Sequence, residues 1–217
     1  MAFTGFTPET IDFLWGIRMN NNREWFQEHK QQYTDTLYKP MKAMGQALFE
    51  PFSQEPGNIL KVSRIYRDAR LHHPDPYKES LWACIRHDVQ WWGEHPCLFF
   101  EIRPECVRYG FGLHAPKTSA MEDFRKALAA RPQPFLDLIR DTEAATGIPV
   151  TAQLYKRPKP TDNPALAPYY GWKGNILCVR QEPVGPEILG PELLPRVQTL
   201  LNRLAPLYEA FNGMFPE

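Results

Sequence analysis

What is missing narrows the field first. No run approaches about 18 consecutive apolar residues, so no membrane-spanning helix is expected. The first ten residues, Met-Ala-Phe-Thr-Gly-Phe-Thr-Pro-Glu-Thr, have neither the basic stretch nor the apolar run of an export signal. The four cysteines, Cys84, Cys97, Cys106 and Cys178, form no Cys-x-x-Cys pair and no closely spaced framework, so reduced thiols in a cytoplasmic protein are expected. There is no excess charge either. Lys+Arg 25 balances Asp+Glu 25, which leaves no overall field to draw the chain to nucleic acid or to an anionic membrane.

Chemical fingerprints are equally sparse. Gly110-Phe111-Gly112 lacks the third glycine and the following helix start of a dinucleotide site, and no Gly-x-Ser-x-Gly elbow occurs. Cys84 and Cys178 sit in apolar alternation, as inert core cysteines do. His72, His73, His87, His95, Cys97 and His114 are dense in one region, but none forms a tight pair of zinc-ligand spacing. No metal and no cofactor are expected.

What remains is a stiff, aromatic chain. Its 217 residues carry 22 prolines, about twice the usual usage of roughly 5%, with 13 Phe and 6 Trp. That length suits one domain spanning 1–217. Thr7-Pro8 opens a helix, with Thr7 as N-cap, Phe6 able to staple onto Ile11, and Ile11, Leu14 and Trp15 as the apolar face. Asn20-Asn21-Asn22 breaks it, and Asn21 with Glu24 matches a capping box for the next helix. Pro40 is expected to bend or divide that helix, with Met44, Leu48 and Phe52 continuing its apolar face.

Ser80 to Val89 fits strand or helix equally well. Leu98, Phe100 and Ile102, then Val107, Tyr109 and Phe111, alternate with polar or small neighbours around Pro104-Glu105, which predicts an antiparallel hairpin with one buried face. Gly110 and Gly112 leave the opposite face open to a close approach. Ser119 with Glu122 suggests a further capping box, Gly147 a helix stop, and Asn175 to Arg180 a short strand. A long amphipathic helix follows Pro191. Helices, then strands, then helices without βαβ alternation predict an α+β fold, an antiparallel sheet covered by N-terminal and C-terminal helices.

The densest chemistry lies between Lys61 and Lys78. Read as an extended strand, Ser63, Ile65, Arg67, Ala69 and Leu71 fall on one face and Arg64, Tyr66, Asp68 and Arg70 on the other. A guanidinium fork suits a carboxylate or phosphate, and a carboxylate between two forks holds their rotamers. Arg64, Arg67, Arg70 and Lys78 are therefore candidates to hold an anion, Tyr77 to donate a hydrogen bond, and Asp68 to orient the arginines or act as a catalytic base. The bland explanation is a structural ion-pair ladder. Lys156-Arg157-Pro158 and Lys173 are secondary basic candidates, set against ordinary solvated loop charge.

Arg-Ile-Tyr-Arg-Asp-Ala-Arg at 64–70 and Pro76-Tyr77-Lys78 resemble the signature of the domain of unknown function 2461 family of microbial proteins. Three further pieces are similar to it: Asn20 to Phe26, Tyr109 to Leu113 and Leu154 to Pro158. Leu71 stands where the family carries Phe, and the lysine expected after Asp75 is missing. The resemblance spans nearly the whole chain and implies no established activity. Two functions stay open: an enzyme or binding protein for a small anionic ligand, or a non-enzymatic module that meets a protein partner while its Arg–Asp cluster is structural.

Overall fold

The computed structural model describes residues 2–68, 70, 74–157 and 159–215. The order of elements is α1 (Pro8–Met19), α2 (Arg23–Glu28), a three-residue α3 (Lys30–Gln32), a π-helical turn (Tyr33–Tyr38), α4 (Lys39–Phe49), β1 (Asn58–Val62), β2 (Leu81–His87), β3 (Pro96–Ile102) and β4 (Cys106–Leu113). Then come α5 (Thr118–Ala130), α6 (Pro132–Thr146), β5 (Thr151–Leu154), α7 (Ala167–Tyr170), β6 (Trp172–Pro183), α8 (Pro186–Leu189) and α9 (Leu193–Met214). The strands form one six-stranded antiparallel sheet in the order β1-β2-β3-β4-β6-β5, so the fold is α+β as expected. The ambiguous 80–89 segment is a strand, and β5 is a strand that the sequence pattern did not reveal. Among the described residues no helix is long and apolar enough to cross a membrane.

Two compact units are distinguished, and each is assembled from separate segments. The first comprises Met1–Ile85, Phe99–Tyr109 and Gln181–Gln198. Its N-terminal helix is capped as expected: Thr7 precedes Pro8, and the Thr7 N–H donates to Thr10 Oγ1 at 3.1 Å. The buried face differs from the expected one. Thr10, Phe13, Leu14 and Ile17 are buried, while Trp15 is exposed beneath the Arg18 guanidinium and Phe6 packs on Phe3 and Phe100.

Pro40 does divide the second helical stretch, and the way it does so is informative. A proline has no N–H to offer the carbonyl four residues back, here that of Thr36. The preceding turn widens to a π-helix, with the Lys39 N–H bonding to the Thr34 carbonyl. The Thr10 hydroxyl supplies the missing donor to the Thr36 carbonyl at 2.6 Å. This explains why a threonine is 0% exposed in α1. Beyond it, Met41, Met44 and Leu48 turn inward. Gly45 lets the sheet approach, because a Cβ there would lie 3.1 Å from Ala83 Cβ and 3.2 Å from Leu60 Cδ1.

The second unit comprises Arg86–Leu98, Gly110–Arg180 and Thr199–Glu217. Its core is aromatic, with Phe124 in ring contact with Phe135, Trp172, Phe211 and Phe215, and Phe111 edge-on to Phe211. Burying each such ring contributes about 1.5–3 kcal/mol, so this cluster outweighs any surface ion pair. Leu98 and Phe111 are 0% exposed in this unit, and Phe100, Ile102, Val107 and Tyr109 are 0% exposed in the first, so the predicted hairpin face is buried. Gly110 answers the close approach foreseen for it: at φ +149° a Cβ would lie 2.2 Å from the Cys178 carbonyl on β6. Helix α5 begins at Thr118 after Lys117 with no side-chain cap, so the Ser119–Glu122 box does not form. Gly147 ends α6 in the left-handed conformation as expected.

Candidate functional site

The Lys61–Lys78 stretch is not one continuous strand. β1 ends at Val62, and Ser63 shows why. Its N–H donates to the Trp82 carbonyl at 2.8 Å, but its hydroxyl, not a carbonyl, accepts from the Trp82 N–H at 3.0 Å. The side chain takes over one rung of the ladder with β2, and the backbone is released to leave the sheet. Residues 65–67 then pair with 76–78. The Arg67 N–H donates to the Pro76 carbonyl at 2.8 Å, the Lys78 N–H to the Ile65 carbonyl at 2.7 Å, and Tyr66 bridges Tyr77 in antiparallel register.

The predicted sorting by twos holds within this excursion. Ser63 and Ile65 are buried and Arg67 is half-buried, while Arg64, Tyr66, Asp68 and Arg70 are exposed. Ala69 and Leu71, assigned to the inner face, lie outside the described residues, as do His72, His73 and Pro158. Among the described residues no group of three or more His, Cys, Asp or Glu is placed to hold a metal ion.

Two features outside the stretch hold it in place. Asn21 does not cap α2. Asn22 does, accepting from the Trp25 N–H at 2.9 Å. Asn21 instead clamps Tyr77 from both sides, accepting from its N–H and donating to its carbonyl, each at 3.0 Å. A ring stack supports the same point. Phe26 of α2 lies 4.3 Å from the Tyr77 ring and 5.7 Å from the Tyr66 ring, and the two tyrosines are 5.4 Å apart. Tyr77 is 2% exposed and Tyr66 52%, so Tyr66 is the tyrosine of the pair that faces solvent. Burial, then the neighbouring Tyr66, raises the Tyr77 phenol above its ordinary value, and Arg23 works against that rise.

The cations divide into three kinds. Arg70 is engaged locally: its Nε and Nη2 donate to the two Asp68 oxygens at 3.0 and 2.7 Å, and its backbone N–H adds a third bond at 3.0 Å. Asp68 therefore orients Arg70 through these bonds. Arg67 belongs to a longer chain. It lies 3.8 Å from Asp75 and 3.6 Å from Glu79; Glu79 takes Arg18 Nε at 2.6 Å, and Arg18 also pairs with Glu105. The Arg18 hydrogen bond holds the Glu105 carboxyl below its usual range.

Arg64 and Lys78 are the third kind. The exposed Arg64 guanidinium has no ion-pair partner among the described residues. Lys78 Nζ donates to the Arg64 carbonyl at 2.7 Å and sits 5.7 Å above the Trp82 ring, with no carboxylate of its own among the described residues. Burial first, and the nearby Arg67 second, lower its pKa. A half-buried ammonium held this way lacks a negative partner.

A family model described as "Conserved hypothetical protein (DUF2461)" matches residues 9–209. The chain belongs to that family. A search of curated proteins finds no match. In this DUF2461 chain, Tyr66, Asn21, Glu79 and Arg18 join the residues singled out from sequence. The period of two had already put Tyr66 on the outer face, and the repeated Asn20-Asn21-Asn22 hinted at Asn21, because an unused asparagine beside a helix start is free to bond elsewhere.

Proposed function

We propose that this DUF2461 protein binds a small phosphate- or carboxylate-bearing molecule at the 64–78 excursion, as an enzyme or as a binding protein. The observation that carries the reading is Lys78: a half-buried ammonium beside Arg67, bonded to a backbone carbonyl and with no carboxylate partner among the described residues. An anion at that point would satisfy Lys78, and the exposed, unpaired Arg64, whose backbone carbonyl Lys78 holds, is a candidate to join it. Arg67 would add to the field, and Tyr66, Tyr77 and Phe26 supply the rigid wall behind them. Arg70 joins only by releasing Asp68.

A competing reading draws on the run Asp75–Arg67–Glu79–Arg18–Glu105. This series fastens the excursion to α1 and to the β3–β4 turn, as a structural ladder in an interaction module would. The two readings separate in a thermal-shift panel of nucleotides, sugar phosphates and organic acids. At about 100 times its dissociation constant a ligand stabilises the native state by about 2.7 kcal/mol, a rise of roughly 5–10 °C for a chain of this size. Wild type should show such a rise, and Arg64→Ala and Lys78→Met should lose it while still folding. No rise with any anion, or a rise that persists in both variants, refutes the site.

A further inference from the structure

Past the end of β5 the chain continues Tyr155-Lys156-Arg157, and these residues with Lys159 and Lys173 line a basin of about 660 Å³. It lies wholly within the second unit, shares no residue with the 64–78 excursion and is the size of a small-molecule site. Four cations line it, and among the described residues no carboxylate does. None of the four is in an ion pair among the described residues. Guarding a sheet edge is the ordinary use of such lysines, and β5 is an edge strand. That explanation misses the positions. The strand itself reads Thr-Ala-Gln-Leu, and the cations begin only after it ends or lie on its partner.

A second, independent feature points the same way. Arg125 on α5 is 7% exposed, yet no carboxylate meets it among the described residues. Its one hydrogen bond runs from Nη1 to the Trp172 carbonyl at a long 3.5 Å. Its Cζ lies 5.8 Å from the centre of the Tyr155 ring, the same ring that Lys159 Nζ approaches to 5.2 Å. A buried guanidinium without a counter-ion is costly. Its presence against the Tyr155 ring, which lines the basin, adds positive potential there. Because cations already occupy the Tyr155 ring, the ring is not available to stack on a base.

We infer that this basin binds the polyphosphate group of a small molecule. Lys156, Arg157, Lys159 and Lys173 neutralise successive phosphates, and Arg125, against the Tyr155 ring, reinforces the field. A single carboxylate would leave most of these cations unmatched, whereas two or three linked phosphates match them.

The test is calorimetric titration of the full chain with inorganic triphosphate, with orthophosphate and a ten-nucleotide single-stranded DNA run alongside. One triphosphate should bind per chain, far more tightly than orthophosphate. Lys156→Ala/Lys173→Ala, both exposed positions, should weaken binding by about tenfold or more. Lys78→Met should bind triphosphate here as wild type does, which keeps this site's fate separate from that of the first. Arg125→Met should melt no lower than wild type and still bind less. The assignment falls if wild type does not take up triphosphate, if the double variant binds it unchanged, or if the DNA binds more tightly than triphosphate. An Arg125→Met protein that does not fold removes Arg125 from the site, and the lysine pair then decides the basin alone.

Discussion

Replacing Asn21 tests the clamp on which the 64–78 excursion depends. Its amide accepts from the Tyr77 N–H and donates to the Tyr77 carbonyl, both at 3.0 Å and both half-buried. A net contribution of about 0.5–1.5 kcal/mol per bond gives about 1–3 kcal/mol for Asn21→Ala. At roughly 2–4 °C per kcal/mol, the melting temperature should fall by about 2–12 °C. Truncating the neighbouring cap, Asn22→Ala, costs a similar 0.5–2 kcal/mol or so, and alanine alone therefore cannot tell the two roles apart. Aspartate can. At position 22 a carboxylate still accepts from the Trp25 N–H and suits a helix N-terminus, so Asn22→Asp should be neutral or slightly stabilising. At position 21 it cannot donate to the Tyr77 carbonyl and sets oxygen against oxygen, so Asn21→Asp should melt well below wild type. Differential scanning calorimetry at neutral pH reads both. Equal melting temperatures for the two aspartate variants would refute the division of labour between the asparagines.

Gly110→Ala should lower stability by on the order of 2 kcal/mol or more, because it combines a positive φ with a Cβ 2.2 Å from the Cys178 carbonyl; an unchanged urea midpoint would contradict the close β4–β6 contact. Burial pushes the Cys178 thiol up to about 11 from an ordinary value of 9.0, so at pH 8 it should resist alkylation in the native protein and react once the chain is unfolded. The sign of its pH dependence follows. The native state holds this proton longer than the unfolded state, so its stabilising share is complete below about pH 9 and is lost as pH rises towards 11. The stability gap between wild type and Cys178→Ala should shrink over that window, and a constant gap would sink the assignment.

Much of this could be read from residue order, because it rests on local rules. Proline at the start of α1, glycine at the end of α6 and strict alternation through 98–111 each act within a few residues, and each appears where the pattern put it. The exposed row Arg64, Tyr66, Asp68 followed in the same way from a period of two. Choices between competing local options were not readable. Asn21 with Glu24 matches a capping box and Asn22 with Trp25 does not, yet Asn22 caps the helix because Tyr77, 56 residues away, engages Asn21. Trp15 was assigned to the core by spacing, but the packing chose Thr10 because Pro40 had left the Thr36 carbonyl without a donor.

The same division applies to charge. Sequence alone showed that the cations cluster and that the chain as a whole is neutral. It could not show which carboxylate each cation meets, since ion pairs such as Arg18–Glu79 join residues 61 positions apart. Only the folded chain separates Arg70, paired with Asp68, from Lys78, left with a carbonyl, and places Arg125 beneath Tyr155 with no counter-ion. Partnership between charges depends on distance and burial, and both are properties of the tertiary structure.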